Sequence, residues 1–350
     1  MLSVRIHAKG DVRLDEVTEP AAAPETVILT GGYTGICGSD LHLYFAPEAM
    51  HWDFTSPAPL TGARWPQILG HEFSGEVAAV GEGVDAVRTG DRVAVFPYHT
   101  CGSCPPCRAG RYTLCWQIAF EGIQGRSGGM ATHKIVPAEN CFVLPDGVDL
   151  RLGALVEPMA VAWHGVELAG VEPGEAALVL GGGPIGVGAY FALRAGGVSR
   201  VVVSEPSPHR RQLLARIGVE HVVDPISQDL VEYCRALTDG AGVAATVDCA
   251  GAPRAFAEGL SSLAFGGRMV IVAAYEEPVE LPVTLLAGDR SIRSSAVYTR
   301  EDFAAVIAAM DRGVHRMDGG WVEPVEFEDV VDALHELRAG KRMKVLVRTP

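Results

Sequence analysis

The sequence has little positive charge. Its 350 residues include 29 Lys and Arg against 43 Asp and Glu, which gives a formal net charge of −14. A chain with this balance repels phosphate backbones and anionic membrane surfaces. The composition therefore argues against nucleic acid or a lipid surface as the partner.

The sequence also lacks an apolar leader and a convincing membrane span. Residues 1–17, MLSVRIHAKGDVRLDEV, carry charges every few positions, so we expect a cytoplasmic protein. One run of 18 residues, 176–193, is free of charge, but it contains five glycines and a proline. That order favours a strand, a tight turn and a helix over a membrane helix. No internal repeat of about 20 to 50 residues is visible, which argues against solenoids and propellers.

The length predicts more than one domain, because 350 residues exceed the usual size of a single hydrophobic core. Short β-runs with turn signals fill residues 1–155 and predict an irregular antiparallel barrel or sandwich. Residues 156–297 alternate buried-type strands with helical segments, which predicts a parallel sheet covered on both faces. We expect residues 298–350, with two amphipathic helices and a last strand, to return to the first domain. The predicted fold class is α/β plus β.

A glycine-rich motif indicates a dinucleotide site. Gly181, Gly183 and Gly186 form G-x-G-x-x-G directly after the strand AALVL, and Pro184 and Ile185 lie between the last two glycines. The context of strand, motif and helix makes the motif informative. Glycines there let backbone N–H groups reach a pyrophosphate at the positive end of the helix. The alternative is a glycine-rich turn that binds no ligand.

Glu205 bears on the choice of dinucleotide. It stands at the end of the next strand, 19 residues beyond the last glycine of the motif. A carboxylate there accepts hydrogen bonds from the adenosine ribose and repels a 2′-phosphate, so NAD is favoured over NADP. Arg210 and Arg211 argue the other way, because either could reach a 2′-phosphate if Glu205 pointed away.

Four cysteines on one short loop predict a structural zinc site. Cys101, Cys104, Cys107 and Cys115 have the spacing C-x2-C-x2-C-x7-C within a segment rich in glycine and proline. Four thiolates can close a tetrahedral shell that leaves no position for substrate. Disulfides are the alternative in a secreted protein. An iron–sulfur cluster is another, although bacterial ferredoxins have a final spacing of three rather than seven.

A second set of metal-binding residue types is spread along the chain. Cys37 lies in GICGSDLH, His71 and Glu72 lie in LGHEFSG, and Glu157 lies in LVEPMAVAWHG. A cysteine, a histidine and a carboxylate suit a catalytic zinc that keeps one position open. Each residue alone has a simpler explanation: a core thiol, a hydrogen-bonded core histidine, or a carboxylate attracted to a helix N-terminus.

Five motifs follow one another over essentially the whole chain: CGSDLH, GHEFSGEV, the four-cysteine loop, VEPMAVAWH and GGGPIG. In this combination the chain resembles the zinc-dependent medium-chain dehydrogenases/reductases. It is most similar to their (R,R)-2,3-butanediol dehydrogenase/acetoin reductase branch, in the long segment 44–66, in the glutamate of the EP motif and in VVVSEPSPHRR. Glu157 stands where liver-type alcohol dehydrogenases have a cysteine, a departure shared with sorbitol and threonine dehydrogenases.

The resemblance implies a GroES-like catalytic domain and a doubly wound Rossmann domain, with NAD and two zinc ions per chain, one catalytic and one structural. It places Cys37, His71 and Glu157 at the catalytic zinc, with Glu72 either ligating zinc or supporting a bound water. Ser39 and His42 match the family's proton relay. Their neighbour Asp40 either fixes the tautomer of the zinc-binding histidine or caps the short helix that follows.

The expected reaction is oxidation of 2,3-butanediol and other vicinal diols to acyloins such as acetoin, and the reverse reduction. A sorbitol or other polyol dehydrogenase and an L-threonine dehydrogenase are the alternatives within the family. A non-catalytic binding protein is the alternative from another class. The resemblance also suggests a homotetramer or a homodimer. Candidate substrate-pocket side chains are Trp52, Trp116, Phe120 and Tyr298.

Overall fold

The computed structural model describes residues 1–350. The strands are β1 (Leu2–Ala8), β2 (Asp11–Glu16), β3 (Thr26–Thr30), β4 (Tyr33–Gly35), β5 (Gln67–Ile68), β6 (Glu72–Val80), β7 (Arg92–Val95), β8 (Tyr98–His99), β9 (Ala119–Phe120), β10 (His133–Pro137), β11 (Cys141–Val143), β12 (Ala176–Leu180), β13 (Arg200–Ser204), β14 (His221–Val223), β15 (Val243–Asp248), β16 (Leu263–Ile271), β17 (Ser291–Ser294), β18 (Val322–Val325) and β19 (Lys344–Arg348). The α-helices are α1 (Gly38–Phe45), α2 (Pro105–Arg108), α3 (Leu150–Gly153), α4 (Val156–Ala169), α5 (Pro184–Ala195), α6 (Pro208–Arg216), α7 (Leu230–Leu237), α8 (Pro253–Ser261), α9 (Arg300–Asp311) and α10 (Val330–Arg338).

The chain divides into two compact units. The first consists of Met1–Glu157 and Val322–Pro350, and the second of Pro158–Trp321. The sequence-based assignment of residues 298–321 to a segment returning to the first domain is therefore wrong. His164 on α4 pairs with Asp302 on α9 at 2.8 Å, which ties α9 into the second unit. An amphipathic pattern predicts a helix, but it does not say which core the helix covers.

The first unit is built around a mixed sheet of eight strands. Six of them follow the order β10-β3-β6-β4-β19-β18, and β7 joins through β6 and carries β11. Leu346 of β19 pairs antiparallel with Gly35 of β4, so the C-terminal strand does return to the first unit. The sequence did not predict β18, because four residues with a central proline carry a weak strand signal.

The second unit contains a parallel sheet of six strands in the order β14-β13-β12-β15-β16-β17. All five residues of β12 are buried, as expected for a strand covered on both faces. The strand order reverses beside β12, between β13 and β15, which is the arrangement of a doubly wound dinucleotide-binding fold. The predicted fold class is confirmed.

The charge-free run at 176–193 forms β12, a turn and most of α5 rather than one continuous helix. None of the helices combines the length and the apolar character needed to cross a bilayer.

Candidate metal and cofactor sites

The four cysteines of the loop converge on one point. The sulfur atoms of Cys101, Cys104, Cys107 and Cys115 all lie within 4.8 Å of one another. Cys101 Sγ and Cys115 Sγ are 3.5 Å apart, which is well beyond the length of a disulfide bond. Sulfur ligands of one tetrahedral zinc lie about 3.8 Å apart, given Zn–S bonds of about 2.3 Å. The spacing fits a single zinc ion better than an iron–sulfur cluster, whose iron and sulfide atoms separate the cysteines further.

Backbone N–H groups of this loop donate hydrogen bonds to its sulfur atoms. The N–H of Cys104 donates to Cys101 Sγ at 3.3 Å, and the N–H of Cys101 donates to Cys115 Sγ at 3.3 Å. Hydrogen bonds from Ser103 and Cys104 lower the pKa of Cys101 to about 6. The thiolate is the zinc-binding form of cysteine, so the backbone favours the state that binds the metal.

The second set of predicted ligands also comes together, within the first unit. Cys37 precedes α1, His71 directly precedes β6, and Glu72 is the first residue of β6. Their ligand atoms lie within 4.8 Å of one another. His71 is 4% exposed and Glu72 is 1% exposed. Glu72 Oε1 is buried and has no hydrogen-bond partner, as expected of an oxygen that faces a cation.

Glu157 lies near this cluster without belonging to its tightest part. It stands in the first turn of α4 and is 5% exposed. The three ligand atoms within 4.8 Å do not include one from Glu157, yet its charge contributes to the raised pKa of His71. The structure thus places both glutamates beside the cysteine and the histidine, with Glu72 the nearer.

The electrostatics of the cluster favour a cation. Burial by itself would lower the pKa of His71, but the neighbouring Cys37, Asp40 and Glu157 raise it to about 10. These neighbours therefore favour a positive charge at this place, and a divalent ion bound there would be stabilised in the same way. The donor chemistry and the burial both fit zinc.

Two glycines make room for these ligands. Gly70, directly before His71, has φ +93°, and a Cβ there would lie 2.3 Å from Thr34 Cγ2. A Cβ on Gly35 would lie 1.9 Å from Glu72 Oε2. Both positions require glycine, the first for its backbone conformation and for space, the second for space alone.

Sequence reasoning missed Lys344, which lies beside the cluster. Its ammonium group forms a buried ion pair with Glu72 Oε2 and donates to Ile36 O at 2.9 Å. Burial alone would lower the pKa of Lys344, but Glu72 and Cys37 raise it above its usual value. The signal was a lysine at the start of an apolar strand, and only the pairing of β19 with β4 shows where that lysine lies.

The residues after Cys37 occupy one turn of α1. Ser39 Oγ lies 3.1 Å from His71 Nε2. Asp40 accepts the N–H of Cys37 at 2.8 Å and caps the helix, whereas its second oxygen and His71 Nδ1 have no hydrogen-bond partner. The structure thus shows the capping role of Asp40 and no direct bond to the imidazole. His42 is half-buried one turn beyond Ser39, so the two face the same side of the helix.

The dinucleotide motif has the predicted local structure in the second unit. It connects β12 to α5, with Gly183 as the N-cap residue, Pro184 at the start of the helix and Ile185 in its first turn. No side chain caps this helix, so its first N–H groups are available for an anion. Gly181 has φ +85°, and a Cβ on Gly186 would lie 1.9 Å from Gly181 O. The turn fits a pyrophosphate.

Glu205 lies next to this turn and is 2% exposed. Its Oε2 accepts the N–H of Gly182 at 2.8 Å, and its Oε1 accepts the N–H of Ser207 at 2.7 Å. The carboxylate is thus fixed against the motif by backbone donors. Each oxygen keeps a further lone pair for a ribose hydroxyl.

The two arginines after Glu205 differ in their contacts. Arg211 donates to the Glu205 carbonyl at 3.0 Å and pairs with Asp224 at 3.0 Å. Arg210 Nη1 lies 3.9 Å from Glu205 Oε2. Arg211 is held by these partners, so Arg210 is the cation that stands beside the carboxylate.

The four aromatic pocket candidates have different surroundings. Tyr298 is fully buried and stacks on Phe303 with ring centroids 6.0 Å apart, so it is a core residue of the second unit. Trp116 is 73% exposed and Trp52 is 41% exposed. Phe120 packs against Tyr98 in the small sheet of β8 and β9.

Comparison with known proteins places this chain in a family. The model of the alcohol dehydrogenase GroES-like domain matches residues 23–146, and that of the zinc-binding dehydrogenase matches residues 184–312. The (R,R)-butanediol dehydrogenase of Bacillus subtilis is 35% identical, with 99% of each chain covered. The L-threonine 3-dehydrogenase of Thermococcus kodakarensis is 33% identical over 95% of this chain and 93% of its own.

Solved structures agree with the sequence relatives. The crystal structure of 2R,3R-butanediol dehydrogenase from Bacillus subtilis matches this chain with a TM-score of 0.91 at 34% identity, covering 100% of this chain and 99% of the other. The chain belongs to the zinc-dependent medium-chain dehydrogenases/reductases. It is an oxidoreductase that acts on CH–OH groups with zinc and a nicotinamide dinucleotide, as the sequence predicted.

Proposed function

We propose that this enzyme oxidises vicinal diols with NAD, with 2,3-butanediol as the characteristic substrate and acetoin as the product, and that it catalyses the reverse reduction. The observation that carries the proposal is the cluster of Cys37, His71 and Glu72, with Glu157 nearby, in a chain similar over its whole length to a butanediol dehydrogenase. Cys37, His71 and Glu157 would hold the catalytic zinc, with Glu72 next to them. Bound zinc supplies a positive charge that lowers the pKa of an alcohol hydroxyl.

Oxidation removes a hydride and a proton from the carbinol, and NAD accepts the hydride. The proton has to reach solvent, and α1 offers a route. Ser39 lies against His71 and can accept a proton from a hydroxyl beside the metal site. His42, on the same side of the helix, can pass it on, since an imidazole exchanges protons readily near neutral pH.

The second hydroxyl of a diol provides the specificity. A site that hydrogen-bonds this hydroxyl leaves polar groups unpaired when the substrate lacks it, which costs orders of magnitude in kcat/KM. We therefore expect 2,3-butanediol oxidation to exceed 2-butanol oxidation by at least about a hundredfold, with the R configuration preferred. Steady-state assays of NAD reduction with each butanediol stereoisomer and with 2-butanol provide the test. Equal kcat/KM for 2-butanol and 2,3-butanediol would remove the vicinal-diol assignment.

L-Threonine is the second candidate substrate. The similarity to L-threonine 3-dehydrogenases supports it, because threonine also carries a secondary alcohol next to a polar substituent. Sorbitol and related polyols belong in the same screen. If kcat/KM for L-threonine or sorbitol exceeds that for every butanediol isomer, the alternative replaces the proposal.

The choice of NAD over NADP rests on Glu205 and Arg210. In Glu205→Ser the carboxylate that repels a 2′-phosphate is gone, and Arg210 keeps its positive charge. We expect NADP to gain about tenfold over NAD in kcat/KM, about 1.4 kcal/mol. Adding Arg210→Ala should cancel the gain, and Arg211→Ala should not. A wild-type enzyme that already prefers NADP would contradict the role of Glu205.

A cytoplasmic location and a homodimer or homotetramer complete the proposal. Both rest on the resemblance to this family. Light scattering of the purified protein would determine its oligomeric state.

A further inference from the structure

The loop from Glu121 to Gly129 is built around one buried carboxylate. Glu121 is 1% exposed. Its Oε1 lies 2.7 Å from His99 Nε2, and its Oε2 accepts the N–H of Ser127 at 2.7 Å. One oxygen therefore closes the loop on itself, and the other attaches the loop to the end of β8.

The loop backbone packs directly against this carboxylate and against the strand before His71. A Cβ on Gly125 would lie 2.3 Å from Glu121 Oε2, and a Cβ on Gly128 would lie 2.4 Å from Ile68 O. The N–H of Gly122 donates to Ser127 O at 2.7 Å. Such close approaches leave the loop little freedom while the carboxylate keeps both donors.

The C-terminal end of the loop is hydrogen-bonded to residues 67–70, which directly precede His71. The N–H of Gly129 donates to Gly70 O at 2.8 Å, and the N–H of Met130 donates to Leu69 O at 2.9 Å. Gln67 Nε2 donates back to Ser127 O at 3.1 Å. His71 is the next residue of this segment, so the loop fixes the backbone from which that imidazole projects.

The contact of Glu121 with His99 connects the loop to the four-cysteine site. His99 is the last residue of β8 and stands two residues before Cys101, the first cysteine of the four-cysteine loop. A chain of contacts therefore runs from the four-cysteine loop through His99 and Glu121, and then through the loop from Glu121 to Gly129, to Gly70.

We propose that the His99–Glu121 pair is a positioning element that couples the four-cysteine loop to His71 and Glu72. An intact four-cysteine loop holds His99 against Glu121, and the carboxylate keeps residues 121–129 closed on residues 67–70. The inference rests on the proposed zinc ligands, and it does not depend on the substrate. Groups that orient metal ligands from outside commonly change metal affinity 10- to 100-fold when they are lost.

Matched variants at position 99 provide the test. His99→Leu removes the donor to Glu121, whereas His99→Gln keeps a side chain that can donate. Asp15→Asn is the control, because Asp15 forms a histidine pair of the same 2.7 Å length with His7 on the β1–β2 hairpin. The first measurement is zinc release into a chromogenic chelator. Its two phases are assigned by Cys37→Ser and Cys101→Ser, each of which removes one site.

We expect His99→Leu to speed release of zinc from the Cys37 site about tenfold, with His99→Gln and Asp15→Asn within twofold of wild type. In a Cys101→Ser background, His99→Leu should add less than twofold, because the coupling has already been lost. An unchanged release rate from the Cys37 site in His99→Leu would overturn the proposal. An equal effect of His99→Leu with and without Cys101→Ser would also overturn it.

Amide hydrogen exchange in a Cys37→Ser background, which keeps the four-cysteine site, gives a readout independent of the metal at the Cys37 site. We expect faster exchange in residues 121–130 and 67–72 for His99→Leu, and wild-type exchange for His99→Gln. Unchanged exchange in residues 67–72 would refute the coupling even if zinc release changed. A wild-type protein that holds one zinc per chain would instead remove the proposed catalytic site, and the exchange experiment would still decide the coupling.

Discussion

The two cysteine-containing sites of the first unit are constructed differently. The four-cysteine loop takes every ligand from residues 101–115, and the backbone of the same loop hydrogen-bonds the sulfur atoms. The other site takes Cys37 from before α1, His71 from directly before β6, Glu72 from the start of β6 and a nearby carboxylate from α4. The first site is complete within one loop and closed by four thiols. The second exists only when the unit has folded, and it includes an ion pair from the last strand.

Because of this difference, the four-cysteine site is suited to stabilising the fold and the Cys37 site is suited to catalysis. A closed shell of four thiolates has no position for a substrate, so its metal holds the loop and takes no direct part in the reaction. A mixed set of cysteine, histidine and carboxylate can hold a zinc ion that keeps one position open. A zinc held in this way would polarise the oxygen of a substrate bound at that position. Losing a ligand should therefore act directly on stability at the first site and directly on turnover at the second.

The largest expected effect is at Cys37. Cys37→Ser should lower kcat/KM more than about a thousandfold, about 4 kcal/mol, because the open metal site loses a ligand. The protein should keep its fold, since the loop from 101 to 115 is untouched. Steady-state kinetics and circular dichroism of the same preparation measure both. Wild-type turnover in Cys37→Ser would contradict the assignment of the catalytic site.

The next effect concerns Lys344. Lys344→Met leaves the Glu72 carboxylate buried without its cation, which should cost about 3 to 4 kcal/mol of unfolding free energy in the zinc-free protein. Urea titrations with and without zinc measure this cost, and bound zinc should reduce it by replacing the lost charge. Lys344→Arg is the control, because it keeps a cation. Equal stability of Lys344→Met and wild type without zinc would mean that the pair contributes nothing.

A smaller effect is expected at Cys101. Cys101→Ser opens the closed shell and should lower the unfolding free energy by about 2 kcal/mol, which in a protein of this size is a fall in melting temperature of about 3 °C. Scanning calorimetry at constant zinc concentration measures it. Cys234→Ser is a suitable control, since this buried cysteine lies in the second unit and belongs to neither site. No fall in Cys101→Ser relative to the zinc-loaded wild type would show that the loop is not stabilised by metal.

The smallest effect concerns a second buried lysine of the first unit. Lys134 donates to Gly31 O at 2.5 Å and to Thr349 Oγ1 at 3.0 Å, and burial lowers its pKa to about 7. The unfolded lysine keeps its proton to about pH 10, so between pH 7 and pH 10 the unfolded state binds more protons than the folded state. Stability contributed by this group is therefore lowest below pH 7 and rises with pH.

The measurement compares wild type with Lys134→Met in urea at pH 7 and pH 9. Wild type should gain about 1 to 2 kcal/mol relative to the variant over this interval. Lys344 has a carboxylate partner and a raised pKa, so a parallel series on Lys344→Met should show no such gain. A constant difference between wild type and Lys134→Met would show that Lys134 remains charged in the folded protein.

The sequence by itself determined the features whose residues are close together in the chain. The four-cysteine loop, the glycine turn after β12 and the alternation of strands and helices in the second unit could all be predicted, because short segments fix their own backbone geometry. Cys37 and His71 could also be predicted as metal ligands from their residue types. That they bind the same metal was implied by a family resemblance rather than by their spacing.

Only the tertiary structure decided which distant residues share a site. The pairing of β19 with β4 carries Lys344 to Glu72, across a separation of 272 residues. Three other features also could not be predicted from the sequence: the position of α9 in the second unit, the buried side chain of Tyr298 and the contact of His99 with Glu121. The physical reason is that register between strands and the choice of core follow from packing summed over the whole unit. A local pattern of hydrophobic and polar residues carries too little of that sum to fix them.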